Sequence, residues 1–152
     1  MILNRKDIAI KISELKKAGK KIVFTNGCFD LIHPGHVIYL TKAAELGDIL
    51  VVALNSDDSV SRLKGPSRPL NTLEDRSVVM NALKPVSFVT SFSEDTPKEV
   101  IEEIIPDVLV KGGDYKKEEV VGGDFVEANG GKVEIIKFVE GKSTTKIINK
   151  MN

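Results

Sequence analysis

A single cysteine, Cys28, is all the thiol this sequence has, which excludes an intramolecular disulfide framework and a thiolate metal centre. A reducing cytoplasm is the compartment that such usage predicts. Charge of one sign is also lacking. The 22 Lys and Arg balance the 22 Asp and Glu, so no overall field favours nucleic acid or an anionic membrane as a partner. Any phosphate must be met by local clusters. Long apolar runs are missing too, and the opening MILNRKDIAIKISELKK places charges where a signal peptide would need its apolar stretch. Neither secretion nor membrane insertion is expected. The glycine pattern of a dinucleotide turn, G-x-G-x-x-G, does not occur after the first strand, and the phosphate loop G-x-x-x-x-G-K-[ST] survives only as GKS at 141 to 143. An NAD-type oxidoreductase is disfavoured on that ground.

What is present suits one compact domain over residues 1–152, since 152 residues at 41% hydrophobic can build a substantial single core. Residues 1–19 read as a helical lead-in: Ile8, Ile12 and Leu15 share one face, lysines lie opposite, and Gly19 suits the stop. Strand-like runs then alternate with helical patterns. KIVFT (21–25), DILVVALN (48–55), VSFVT (86–90), DVLVK (107–111) and KVEIIKF (132–138) are the predicted strands. Helices are expected over 36–46, from Asn71 with an Asn71–Glu74 capping box, over 96–105, across 116–128 and from Ser143. Ser56 to Leu70 is the longest stretch expected to be irregular, and its Arg62 and Lys64 mark it as a functional loop. The alternation predicts an α/β fold: a Rossmann-like, doubly wound, mainly parallel sheet with helices on both faces. Ligands of such folds bind where strands end and helices begin.

Both histidines of the chain fall in TNGCFDLIHPGH (25–36), between the first core strand and its helix. Three residues apart, His33 and His36 present both imidazoles on one side of a helical first turn, and Gly35 lets an anion approach the backbone. A helix N-terminus there adds amide donors and the positive end of a dipole. A lone histidine in a turn is ordinarily a surface or capping residue; the pair at this place favours phosphate chemistry. A zinc site is weaker, because no cysteine or carboxylate pair nearby completes the ligand set.

GCFDLIHPGH resembles the H-x-G-H signature of the cytidylyltransferase-like nucleotidyltransferases. Within that family the resemblance runs to the branch that adenylylates a heptose 1-phosphate and covers residues 20–150. It is carried by TNGCFD, LGDILVVALNSD (46–57), RLKGPSRP (62–69), LVKGGDY (109–115) and EGKSTTKII (140–148). The resemblance implies transfer of AMP from ATP to a sugar 1-phosphate with release of pyrophosphate, magnesium as cofactor, small-molecule partners and a homodimer.

It also implies site residues. His33, His36 and Lys64 would stabilise the reacting phosphates, with Lys64 on the loop after the second strand. Ser143, Thr144 and Thr145 match the S-T-T signature that binds the outer phosphates, and Arg76 matches an arginine near the phosphates. Cys28, Phe29 and Asp30 sit where the backbone approaches the nucleotide, and Gly113 and Asp114 match the segment bordering base and ribose. Asn55 and Asp57, ending the second strand, would meet the sugar acceptor. The blander readings are plain: Lys64 and Arg76 as solvated charges, Ser143 as an N-cap, GGD at 112–114 as a tight turn, and Cys28 as a small buried residue.

Many relatives of this activity are fused to a sugar kinase; this chain has the look of the stand-alone version. Where polyol phosphate cytidylyltransferases carry arginine and threonine before S-T-T, this chain has Phe138-Val139-Glu140-Gly141-Lys142, which argues against a glycerol phosphate enzyme. Two alternatives stay open: a cytidylyltransferase for another phosphorylated alcohol or a phosphonate, and a nucleotide-binding module without catalysis.

Overall fold

A computed structural model describes residues 1–138 and 144–151. The lead-in helix α1 (Arg5–Lys17) starts at Asn4, whose side chain accepts from the Asp7 amide, and Gly19 follows it at φ 84. Then come β1 (Ile22–Gly27), α2 (Pro34–Ala44), β2 (Ile49–Asn55), α3 (Asp57–Lys64) and α4 (Leu73–Asn81). The chain continues through β3 (Phe88–Phe92), α5 (Lys98–Ile104) and β4 (Val108–Gly112). A short 3₁₀ turn (Lys117–Glu119), α6 (Gly123–Ala128), β5 (Lys132–Ile136) and α7 (Thr144–Met151) complete the described elements.

The five strands form one sheet in the order β3-β2-β1-β4-β5, every pairing parallel. Strand side chains alternate between the faces. Ile22 and Phe24 of β1, with Val51 and Ala53 of β2, join Ile8 and Ile12 of α1 and Val100 and Ile101 of α5 in one core layer. Val23, Leu50, Val52 and Leu54 point the other way, onto Tyr39, Leu40 and Ala43 of α2 and Met80 of α4. Each fully buried Leu, Ile or Val here contributes about 1.5–3 kcal/mol. The result is the Rossmann-like doubly wound sheet that the alternation predicts. The chain runs outward from β1 to β2 and β3, then returns to place β4 on the other side of β1. That reversal opens a crevice at the carboxyl ends of β1 and β4.

Several local expectations are corrected. The stretch from Ser56 is not irregular throughout: Asp57–Lys64 is a helix, because Ser56 caps it by accepting from the Ser59 amide and Asp57 and Asp58 favour its positive end. Lys64 therefore sits in a helix's last turn and not on a loop. The cap of α4 is Thr72, which accepts from the Asp75 amide, and not Asn71. Residues 116–128 do not form one helix, because Gly122 at φ 83 breaks the run into the 3₁₀ turn and α6. The helix after β1 starts two residues earlier than expected, with Pro34 in its first turn, where a missing N–H is harmless.

Candidate active site

The turn between β1 and α2 lies at the crevice. Phe29 takes up a left-handed backbone at φ 47, and Asp30 turns inward behind it. The Asp30 carboxylate accepts from the Leu70 amide at 2.7 Å, the Asn71 amide at 2.9 Å and Arg68 Nε at 2.8 Å. The Asn71 side chain donates to the Asp30 carbonyl oxygen at 2.8 Å. Burial alone would raise the Asp30 carboxyl, but the two amides and the guanidinium outweigh it and hold it below its ordinary value. Asp30 is thus the anchor that fastens the segment 68–71 over the turn.

His33 is the N-cap position of α2 and is buried. Its ring stacks on that of His36, with centroids 3.8 Å apart and planes at 24°. The His33 amide donates to His36 Nδ1 at 3.3 Å, which leaves the His36 proton on Nε2. Burial first, and the neighbouring His33 second, push the His36 imidazole down to about 4. At neutral pH it is an uncharged N–H donor.

A cavity of about 580 Å³ opens over this turn. Cys28, Phe29, Asp30, His33 and His36 line it from the β1–α2 segment, and Asn55 lines it from the end of β2. Lys64 and Arg68 close one side, and Lys111, Gly112, Tyr115 and Phe138 the other. The Cys28 thiol is pushed up by burial, so it stands as a thiol and not as a nucleophilic thiolate. A smaller concavity of about 420 Å³ lies at the opposite ends of the strands among Lys16, Lys20, Lys21 and Lys132. It is remote from the histidines, and ligands of doubly wound sheets take the carboxyl ends.

The remaining expected residues divide. Asn55 is buried at the cavity wall, its Nδ2 donating to Ser59 Oγ at 2.9 Å. Asp57 stands outside the lining and pairs with Arg76 Nη2 at 2.8 Å. Arg76, 2% exposed, donates to the carbonyl oxygens of Asn71, Cys28 and Asn55 as well. Four of its five N–H donors are thereby engaged by protein oxygens. The expectation of a phosphate-facing arginine gives way to a buried tie that joins β1, β2 and α4. Gly113, at φ 115, and the exposed Asp114 form the turn after β4, and the cavity wall beside them is Gly112 and Tyr115. Ser143 lies outside the described residues. Thr144 and Thr145 open α7, and only their backbone is described.

Arg68, Lys111 and Tyr115 are among the residues of the cavity wall that the sequence does not single out. Arg68 lies within the run RLKGPSRP, and Lys111 and Tyr115 within LVKGGDY; the ending of β4 beside β1 is the signal that could have found the latter two.

Among the described residues no group of three His, Cys, Asp or Glu side chains gathers in a way that would hold a metal ion. No helix among them is long and apolar enough to cross a membrane.

Residues 24–150 match the family model described as cytidylyltransferase-like. The chain is 53% identical over 150 residues to the bifunctional protein HldE of Haemophilus influenzae (strain ATCC 51907 / DSM 11121 / KW20 / Rd), a match covering 99% of this chain and 32% of that protein. It is 54% identical over 151 residues to the bifunctional protein HldE of Marinomonas sp. (strain MWYL1), with the same coverage. The chain thus spans about a third of the length of these relatives, 32%. Among solved structures it resembles the lipopolysaccharide core biosynthesis protein from Thermoplasma volcanium GSS1, with a TM-score of 0.66 and 29% identity, covering 82% of this chain and 100% of that one.

Proposed function

The chain belongs to the cytidylyltransferase-like family and is a nucleotidyltransferase, and on that premise we propose that it transfers AMP from ATP to a sugar 1-phosphate. The acceptor in this reading is D-glycero-D-manno-heptose 1-phosphate, and the products are ADP-heptose and pyrophosphate. An oxygen of the sugar phosphate attacks the α-phosphorus in line, a new P–O bond forms, and the bond to the β-phosphate oxygen breaks. No side-chain nucleophile is needed, so the protein's work is alignment and stabilisation of charge.

The observation that carries the reading is the stacked His33–His36 pair at the start of α2, on the wall of the cavity at the carboxyl ends of β1 and β4. We assign His36 Nε2–H as a neutral donor to the phosphate chain, aided by the positive end of α2. Lys64, from the far side of the cavity, supplies a mobile positive charge. His33 is assigned to the same phosphates, Cys28 and Phe29 to the backbone path beside the nucleotide, and Asn55 to the acceptor. Ser143, Thr144 and Thr145 are assigned to the outer phosphates on the strength of the S-T-T resemblance. The described side chains form no cage of three His, Cys, Asp or Glu ligands, and magnesium bound through a substrate's phosphates needs none. In this reading the magnesium enters as part of the ATP complex.

Surface-glycan synthesis is the proposed setting, supported by the Thermoplasma relative's description as a lipopolysaccharide core biosynthesis protein. The cytoplasm, where ATP is supplied, is the proposed location, and a homodimer is the assembly that the resemblance implies.

The test is pyrophosphate release with magnesium, each of ATP, CTP, GTP and UTP, and an acceptor panel of heptose 1-phosphate, glycerol 3-phosphate and hexose 1-phosphates. Turnover confined to ATP and heptose 1-phosphate supports the proposal in full. Turnover with CTP keeps the chemistry and replaces the nucleotide, and nucleotide binding without turnover on any acceptor would overturn the enzymatic reading.

A further inference from the structure

The positive charges around the cavity are not equivalent. Arg68 is paired with Asp30, and the Arg68 side chain is only 10% exposed. Arg62, outside the lining, is paired with Asp95. Lys64 and Lys111, by contrast, line the cavity without a carboxylate partner among the described residues. They come from opposite sides. Lys64 ends α3, which follows β2, and Lys111 lies on β4, which the return of the chain sets against the other flank of β1. The β1–α2 turn, with its histidine pair, lies between those two flanks.

Lys111 is half-buried, and its Nζ lies 5.0 Å from the centre of the Tyr115 ring. A cation taken partly out of water without a carboxylate is unfavourable unless something else meets it, and an aromatic face supplies only part of that. Burial, then the like charge of Lys64, push the Lys111 ammonium down from its ordinary value. Two ammonium groups directed at one cavity repel each other when it is empty. An anion seated between them removes the repulsion and restores the lost solvation.

We propose that Lys111 is a phosphate-binding residue of this site, which with Lys64 grips the substrate's phosphate oxygens from the two sides of the β1–α2 turn. This rests on the proposed nucleotidyl transfer for its choice of ligand and adds a contact that the motifs do not assign. The shared chemistry is a phosphate oxyanion, contributed either by the nucleotide's outer phosphates or by the sugar phosphate. Inorganic pyrophosphate stands for the first source and a hexose 1-phosphate for the second.

Calorimetric titration of each probe into the unaltered protein, Lys111→Met, Lys111→Arg and Lys20→Met makes the test. Lys20 lies at the opposite end of the sheet and controls for the loss of one charge. Lys111→Met is expected to weaken at least one probe about tenfold, the loss of one charge-assisted hydrogen bond, while Lys111→Arg keeps most of the affinity and Lys20→Met all of it. A loss for pyrophosphate alone places Lys111 on the nucleotide's phosphates, and a loss for the hexose phosphate alone places it on the acceptor. Equal affinity of Lys111→Met and the unaltered protein for both probes overturns the inference, as does failure of the unaltered protein to bind either. Should Lys111→Met not fold, acetylation of the unaltered protein by acetic anhydride decides the same question: protection of Lys111 by a probe supports the contact, and lack of protection refutes it. Neither measurement needs turnover. A chain that bound pyrophosphate through Lys111 yet made no nucleotide sugar would remove the proposed reaction and leave this contact standing.

Discussion

The ring of Phe29 meets the imidazole of His36 edge-on, with centroids 5.1 Å apart and planes at 62°. Two backbone features make the contact. Phe29 itself adopts φ 47, a left-handed conformation that costs a side-chain-bearing residue about 1–2 kcal/mol. Gly27 lies directly under the ring, where an added Cβ would come within 2.7 Å of Phe29 Cε2. The absence of a side chain at 27 therefore lets the ring reach His36, while the His33 amide holds the far side of the same imidazole through Nδ1.

Gly27→Ala is expected to displace the Phe29 ring and loosen His36. Misplacement of a reacting group by an ångström can slow a reaction about a hundredfold, so kcat should fall by roughly ten- to a hundredfold with a smaller change in KM for the nucleotide. Steady-state kinetics beside a circular dichroism spectrum check this. A folded Gly27→Ala protein with normal kcat would show that Phe29 does not hold the imidazole.

His36 should leave a mark on the pH dependence of both rate and stability. Because its imidazole is held down to about 4 against an ordinary 6.5, kcat/KM should show no His36 limb near pH 6.5, and such a limb should emerge only near pH 4. Stability follows from the same shift. Between pH 6.5 and 4 the unfolded chain takes up a proton at this residue and the folded chain does not, so the protein loses stability as pH falls through that window. His36→Asn, which keeps an acceptor near Nδ1 and cannot titrate, should flatten the fall of melting temperature over that range. An unchanged slope would count against the buried, neutral state.

The two kinds of feature at this site differ in how far a sequence displays them. Apolar runs such as DILVVALN announce their strands, and the position of His33 and His36 after the first of them announces the ligand turn. α3 does not announce itself, since DDSVSRLK buries only Ser59 and Val60 and carries no apolar stripe. Its existence rests on the Ser56 cap and the acidic first turn. The pairings Asp30–Arg68 and Arg76–Asp57 join segments far apart in sequence, and nothing local distinguishes their arginines from solvated ones. Lys111 is hidden for a related reason. A lysine ending a strand reads as surface until the strand order puts β4 beside β1.

Asp30 provides an acid-limb prediction with the opposite residue type. Its carboxyl is held below the ordinary value, so its contribution is present above the unfolded carboxyl value of about 3.9 and is lost as pH falls through the lower, folded one. Asp30→Asn removes the charge and cannot serve the Leu70 and Asn71 amides and Arg68 together. A loss of about 2 kcal/mol at neutral pH is expected, and the difference from the unaltered protein should shrink below pH 4. Urea titrations from pH 2 to 7 check it, and a constant difference across that range would assign the loss to shape and not to charge.

Arg76 separates a structural role from a phosphate-binding one. Its guanidinium reaches Asn71, Cys28 and Asn55 carbonyl oxygens and the Asp57 carboxylate at 2.8–3.0 Å, a fan that the single ammonium of lysine cannot span. Arg76→Lys keeps the charge and loses the fan, leaving buried carbonyls without donors. Stability should drop by about 3 kcal/mol, the size expected when a buried guanidinium loses most of its hydrogen bonds, and urea unfolding reads it directly. If Arg76 instead acted chiefly on phosphate, the lysine variant would unfold at nearly the unaltered urea midpoint and show its defect in nucleotide KM or kcat. A large loss of stability, with ATP saturation unchanged in the fraction that remains folded below the transition, assigns Arg76 to holding the ends of β1, β2 and the start of α4 in register beneath the site.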